Sequence, residues 1–293
     1  MGMGLDVEER NEGPFEWWYF QHVSTDFVVV VTAQVTNILG GGRNSPRLSV
    51  SFYHLDAPVS ASWAIPIRRL SLNWDGYLSV DRHVVERNDG FDIHVVADGM
   101  TLDVQIDKSS DPWGPRDDEI ATSSAGGRSA KWRVRLPRGK SQARIEFAGR
   151  RFKGAGYAYH DRNWGTLPIF DVFSGWSWAT VVAADSTLVI ARLINSSGNV
   201  GILSNGRSKE FEEWFGRAED PNTALSVDAE LPRTFEEAFG CEGAAGRIRL
   251  VKAKTYVAPS YGVAYYRWLL VGTDREQLRI CGVAEAARLQ GSG

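Results

Sequence analysis

The sequence predicts an all-β protein: two antiparallel barrel or sandwich domains packed side by side, with few short helices. Three observations predict it. Apolar residues alternate with polar ones in many short runs, glycine and proline turn signals separate those runs, and 293 residues suit two domains of similar size. With 43% hydrophobic residues, either domain can fill a core.

The elements follow in order. FVVVVTAQV, from Phe27 to Val35, is β-branched and too short and valine-rich for a helix. Arg47 to Leu55 alternates, placing Leu48, Val50, Phe52 and His54 on one face, where His54 reads as a satisfied core histidine. Phe91, Ile93, Val95 and Ala97 alternate, Asp98-Gly99 turns, and Leu102, Val104 and Ile106 alternate again as the second arm of a hairpin. From Asp107 to Arg128 the chain is polar and rich in Ser, Gly, Asp and Pro, which predicts a long excursion, a mobile loop or a lid. Trp132, Val134 and Leu136 resume the period, and Pro137-Arg138-Gly139 breaks it.

That polar break, with the basic, glycine-bearing RRFKGAG beyond it, divides the chain into domains at 1–145 and 146–293. In the second half, WSWATVVAADSTLVIARLI reads as two strands around Asp185-Ser186. GRIRLVKAKTYVAPSYGVAYYRWLLVG reads as two more around Pro259-Ser260-Tyr261-Gly262. The expected helices are SKEFEEWFGRAED near residue 210 and the VAEAARLQ tail.

Composition narrows the function. Lys+Arg number 33 against 36 Asp+Glu, a net charge of -3 without a basic stripe, which argues against nucleic acid as partner. No apolar run reaches the roughly 20 residues of a membrane span, and the polar, acidic start is no signal peptide. Two distant cysteines, Cys241 and Cys281, form neither a disulfide framework nor a zinc spacing and read as reduced thiols of a cytoplasmic protein. Five scattered histidines show no metal-ligand spacing, and the nucleophile-elbow, phosphate-loop and dinucleotide motifs are missing, so those chemistries have no support in the sequence. The 11 Trp, 13 Phe and 9 Tyr must be packed somewhere, and any surplus over the needs of the core can line a pocket for a hydrophobic small-molecule partner. A homodimer is left open.

Two segments carry the candidate chemistry. In Glu16-Trp17-Trp18-Tyr19-Phe20, strand parity puts Glu16, Trp18 and Phe20 on one face and Trp17 and Tyr19 on the other. A carboxylate between indoles is either hydrogen-bonded as a structural group or kept protonated. The second segment runs from Gly154 to Gly165 and gathers Tyr157, Tyr159, His160, Asp161, Asn163 and Trp164. Burial among aromatic rings would turn Asp161 into a proton donor, with His160 or Glu16 returning its proton. The competing reading is an Asp161 paired with Arg162 or capping a turn. A third group, Phe173, Trp176 and Trp178, is either core or an aromatic wall for a developing cation.

In their order and wide separation, EWWYFQHVS, GAGYAYHDRNWG and FSGWSWA resemble the lipocalin-like family of carotenoid 1,2-hydratase and the AttH-like proteins, to which the fungal lipocalin-like Diels–Alderases are similar. The resemblance implies two lipocalin-like β-barrel domains with an apolar pocket at or near their junction. It also implies a polyene, isoprenoid or polyketide-type substrate and no metal or organic cofactor. Glu16, Trp17, Trp18 and Tyr19 match the first motif. Gly156, Tyr157, His160, Asp161, Asn163, Trp164 and Gly165 match the second, with either Tyr157 or Tyr159 at the family's tyrosine position.

The reading that follows is an enzyme with Asp161, His160, Glu16 and Tyr157 as catalytic candidates. Trp17, Trp18, Tyr19, Tyr159, Asn163, Trp164, Phe173, Trp176 and Trp178 are its candidate substrate contacts. Acid-catalysed cyclisation, pericyclic cyclisation and hydration all fit. The alternative is a lipocalin-like carrier of a hydrophobic molecule, and a weaker third is a sugar-binding sandwich.

Overall fold

The computed structural model describes residues 15–34, 46–57, 59–67, 70–72, 78–81, 83–122, 128–167, 169–182, 187–195, 200–204, 249–252, 256–258, 263–273 and 279–289. These residues are almost all strand, paired antiparallel in two sheets, as the alternating pattern predicts.

The first sheet contains β1 (Phe15–Ser24), β2 (Phe27–Gln34), β3 (Arg47–His54), β4 (Ser60–Pro66), β5 (Leu70–Leu72), β6 (Leu78–Val80), β7 (Val84–Arg87), β8 (Gly90–Ala97), β9 (Met100–Lys108), β10 (Glu119–Thr122), β11 (Ser129–Phe147) and β12 (Arg150–Gly165). Its order is β4-β3-β2-β1-β12-β11-β9-β8-β7-β6-β5, with β10 added on β11. β1 and β8 are four strands apart, roughly 19 Å in a flat sheet, yet the rings of Phe20 and Phe91 lie 5.3 Å apart. Trp63 of β4 and Phe147 of β11, five strands apart, are 5.2 Å apart. The sheet therefore rolls around one apolar core that includes Trp18, Phe20, Val29, Phe52, Phe91 and Ile106.

The second sheet contains β13 (Phe173–Val182), β14 (Thr187–Asn195), β15 (Val200–Ser204), β16 (Arg249–Lys252), β17 (Tyr256–Ala258), β18 (Val263–Thr273) and β19 (Arg279–Leu289). Its order is β15-β14-β13-β19-β18-β16, with β17 on β18.

Several expectations change. The structure divides into compact units at 168/169 rather than 145/146. The Pro137 segment does not end a strand: β11 runs through it as a bulge, where proline's missing N–H is tolerated. Ser109 and Ser110 donate their hydroxyls to the Arg138 carbonyl and hold the bulge. The glycines that follow are no linker either. A side chain at Gly156 would stand 2.0 Å from the Val23 carbonyl oxygen, so glycine lets β12 lie against β1.

In the VAEAARLQ tail, Val283 to Leu289 belong to strand β19, not to a helix. Val283, Glu285 and Ala287 alternate inward, and pairing with β13 and β18 on both sides overrides a helix-favouring composition. The expected helix near residue 210 and the turns at Asp185-Ser186 and Pro259–Gly262 lie outside the described residues. The hairpin turn is as expected, with Asp98 at φ 45° and Gly99 at φ 73°.

The excursion after Asp107 is laid along β11. Trp113 and Val134 exchange two backbone hydrogen bonds of 2.8 Å, and β10 pairs with β11. Residues 123–127 lie outside the described set.

Candidate active site

The two motif segments are neighbouring strands. β1 and β12 pair antiparallel over their motif residues, from Phe15 opposite Gly165 to Ser24 opposite Gly156. Directly opposed residues share a face. One face therefore carries Glu16, Trp18, Phe20 and His22 with Trp164, Arg162, His160 and Ala158, and it is the face that enters the core. The other carries Trp17, Tyr19 and Gln21 with Asn163, Asp161 and Tyr159. We call these the inner and outer faces.

On the outer face Asp161 is buried, 4% exposed. Trp132 of β11 donates its indole N–H to Oδ2 at 3.1 Å, and the Tyr159 hydroxyl contacts the same oxygen at 2.6 Å. Asn163 donates its amide N–H to Oδ1 at 3.0 Å. The Tyr19 ring meets the Tyr159 ring edge-on at 6.1 Å, and Trp113 from the excursion meets Trp132 edge-on at 5.5 Å. The sequence left the tyrosine open, and it is Tyr159 that touches Asp161, while Tyr157 lies beneath the Arg138 guanidinium at 4.2 Å.

The inner face differs. Glu16 Oε1 accepts from the Trp18 indole at 2.9 Å and from two Arg162 nitrogens at 3.0 and 2.7 Å. It is thus the hydrogen-bonded carboxylate of the structural reading. His160 is fully buried, stacked on Phe20 at 4.0 Å and on Trp18 at 5.7 Å. Its Nδ1 lies 2.8 Å from the Tyr19 carbonyl oxygen. That oxygen only accepts, so Nδ1 holds the ring's hydrogen and donates it. Burial lowers the His160 pKa well below the ordinary value, and Arg135, Lys108 and Arg162 push the same way. His22, hydrogen-bonded to Ser141, is lowered to about 3 by burial.

One expectation is overturned here. His160 and Glu16 project from the face opposite Asp161, so neither passes it a proton through direct contact. Sequence adjacency in a strand separates side chains across the sheet rather than joining them. The candidate substrate contacts divide likewise: Trp17, Tyr19, Tyr159 and Asn163 accompany Asp161, whereas Trp18 and Trp164 accompany His160. His54 caps a turn, its Nδ1 accepting from the N–H groups of Asp56 and Ala57.

Phe173, Trp176 and Trp178 belong to the second unit, on β13. Trp176 and Trp178 share a face with the buried Arg267–Glu285 pair, in which Arg267 Nε donates to Glu285 at 2.6 Å. Sequence reasoning missed that pair. It also missed Trp132 as a donor, because a cross-strand partner is invisible until register is known. Among the described residues no group of three His, Cys, Asp or Glu side chains could hold a metal ion, and no helix is long and apolar enough to cross a membrane.

No family model and no characterised relative matches the sequence. Solved structures do match in fold. The chain is similar to a putative AttH from Nitrosomonas europaea, with 11% identity, a TM-score of 0.51, and coverage of 94% of this chain and 93% of that one. It is also similar to CghA, with 11% identity, a TM-score of 0.60, and coverage of 95% and 89%. Kievitone hydratase from Nectria haematococca matches at 12% identity and a TM-score of 0.50, over 95% and 90%. The chain therefore has the fold of these lipocalin-like proteins, in keeping with the resemblance carried by its motifs.

Proposed function

We propose that the protein is a cofactor-independent enzyme that cyclises or hydrates an apolar, unsaturated small molecule of the polyene, isoprenoid or polyketide type. The observation that carries this reading is the buried Asp161, on which Trp132, Tyr159 and Asn163 converge. The fold similarity to CghA and to kievitone hydratase supports it.

Trp132 and Asn163 can only donate to the carboxyl group through these contacts, so they fix its orientation whatever its protonation. The Tyr159 hydroxyl can donate or accept, so the 2.6 Å contact can carry a proton in either direction. In the acid route that proton goes to an alkene carbon, and the neighbouring faces of Tyr19 and Trp132 stabilise the cation. Water then captures the cation and returns a proton to the Tyr159–Asp161 pair, which is hydration. Capture by a second alkene, followed by loss of a proton from carbon, is cyclisation. In the pericyclic route no proton moves, and a hydrogen bond from Tyr159 or Asn163 to a substrate carbonyl lowers the barrier.

A panel of acyclic polyenes incubated in ¹⁸O-labelled water, with products read by mass spectrometry, separates these routes, since only hydration retains solvent oxygen. Under the acid route Asp161→Asn and Tyr159→Phe lower turnover by roughly 10²–10⁴. An Asp161→Asn variant with wild-type turnover defeats the acid route and leaves the pericyclic one. Binding without turnover across the panel leaves the carrier.

A further inference from the structure

The excursion that follows β9 carries a tryptophan with no role in the chemistry above. Residues 109–118, SSDPWGPRDD, contain no large apolar side chain except Trp113. The segment is pinned to β11 at both ends. At one end the hydroxyls of Ser109 and Ser110 donate to the Arg138 carbonyl, and the Arg138 N–H donates back to the Ser110 oxygen at 2.9 Å. At the other, Arg133 Nη1 donates to Asp118 Oδ1 at 2.7 Å. Asp117 and Asp118 stand at φ 58° and 60°, left-handed backbone that such residues keep only where their surroundings hold them. Between the pins the chain lies hard against β11: a side chain at Gly114 would stand 3.3 Å from the Trp132 carbonyl oxygen.

What the pins secure is the place of Trp113. It exchanges two backbone hydrogen bonds with Val134, whose cross-strand partner on β12 is Asp161. Directly opposed residues share a face, so Trp113, Val134 and Asp161 stand in one row on the outer face. The Trp113 ring meets the Trp132 ring at 5.5 Å and 88°, edge to face, and Trp132 donates its indole N–H to Asp161 Oδ2. Trp113 is itself half-buried, and it covers one side of an indole that is 4% exposed. Take the covering ring away, and the Trp132 indole is free to turn about its outer torsion and carry its N–H off the carboxyl oxygen.

We propose that Trp113 is a positioning residue for Asp161. Through Trp132 it keeps an N–H on Oδ2, and so fixes the orientation in which the carboxyl group meets the Tyr159 hydroxyl. The role rests on the Asp161 reaction proposed above; the contact that performs it is measurable without that reaction. A Trp113 that merely covered Trp132 would add stability and leave turnover alone.

Labelling the tryptophans of the full chain with ¹⁵N reads the contact with no substrate present. The Trp132 indole resonance is assigned by its loss in Trp132→Phe. In Trp113→Ala that resonance should shift and its N–H should exchange with solvent about tenfold faster, as a loosened hydrogen bond does. Trp113→Phe keeps an aromatic edge and should stay near the parent. The Trp18 indole, which donates to Glu16 at 2.9 Å on the inner face, should not move in either variant. In turnover of the acyclic polyene panel, Trp113→Ala should lower kcat about tenfold with KM changed by less than about twofold, and Trp113→Phe should recover most of the loss. An unmoved Trp132 resonance, an equal shift at Trp18 or an unchanged kcat in Trp113→Ala each overturns the proposal. A parent without turnover defeats the Asp161 reaction instead, and the Trp132 resonance alone then decides whether Trp113 holds the carboxyl's donor. Should Trp113→Ala fail to fold, Asp118→Ala frees the far pin without touching a ring, and the same resonance and kcat decide it.

Discussion

The two faces of the β1–β12 pair share a backbone and hold opposite chemistry. Outward, a carboxyl group stands among neutral donors from Trp132, Tyr159 and Asn163. Inward, a neutral imidazole lies between aromatic rings beside Arg135, Lys108 and Arg162. His160 and Asp161 are consecutive in sequence, yet each is governed by residues from other strands. The difference teaches that the pleat sorts the motif into two environments, and that a dipeptide of acid and base in a strand is no dyad.

The largest effect that can break this comparison is on stability. Trp18 is fully buried in the core, whereas Trp17, on the outer face, is half-buried. Trp18→Ala should cost about 3–5 kcal/mol in urea unfolding, and Trp17→Ala less than half as much. Equal losses would mean that the outer face, not only the inner one, is packed as core.

Much of this was legible beforehand, for physical reasons. Parity assigns Glu16, Trp18 and Phe20 to one face and Trp17 and Tyr19 to the other, and the register confirms it. Asp98-Gly99 turns where the φ > 0 rule demands. What the sequence hid is set by pairing at long range. Trp132 reaches Asp161 only because β11 lies beside β12, and Arg162 neutralises Glu16 from 146 residues away. The same blindness produced the misplaced domain boundary, since Pro137 and the glycines of β12 mark a bulge and a close approach within one sheet.

The next effect concerns pH. His22 and His160 are both held neutral by burial, their pKa values below the unfolded value of 6.5. Below pH 6.5 the unfolded chain takes up protons that the folded chain refuses, so stability falls as pH falls. Each histidine contributes about 1.4 kcal/mol per pH unit well below 6.5, down to its own folded pKa, about 3 for His22. Urea midpoints measured from pH 7 to 5 should therefore fall more steeply for the parent than for His22→Gln. Identical pH dependence would show that His22 can be protonated in place, contrary to an inner face that excludes charge without a partner.

The smallest effect sharpens the contrast between the two carboxylates. Glu16 is bonded to Arg162 and Trp18, but its side chain is 13% exposed and that of Arg162 is 21% exposed. Water screens such a pair and the flexible arginine gives up entropy to hold it, so Glu16→Gln should cost about 1 kcal/mol or less. The amide keeps an oxygen for the Trp18 indole, and Arg162 retains its stacking on Trp164 at 4.5 Å. Asp161→Asn should cost more, because an amide nitrogen turned toward Trp132 or Asn163 would set donor against donor in a buried site. Thermal unfolding of the two single variants ranks them directly. A larger loss at Glu16 than at Asp161 would reverse the assignment, making the inner carboxylate the one the fold cannot spare.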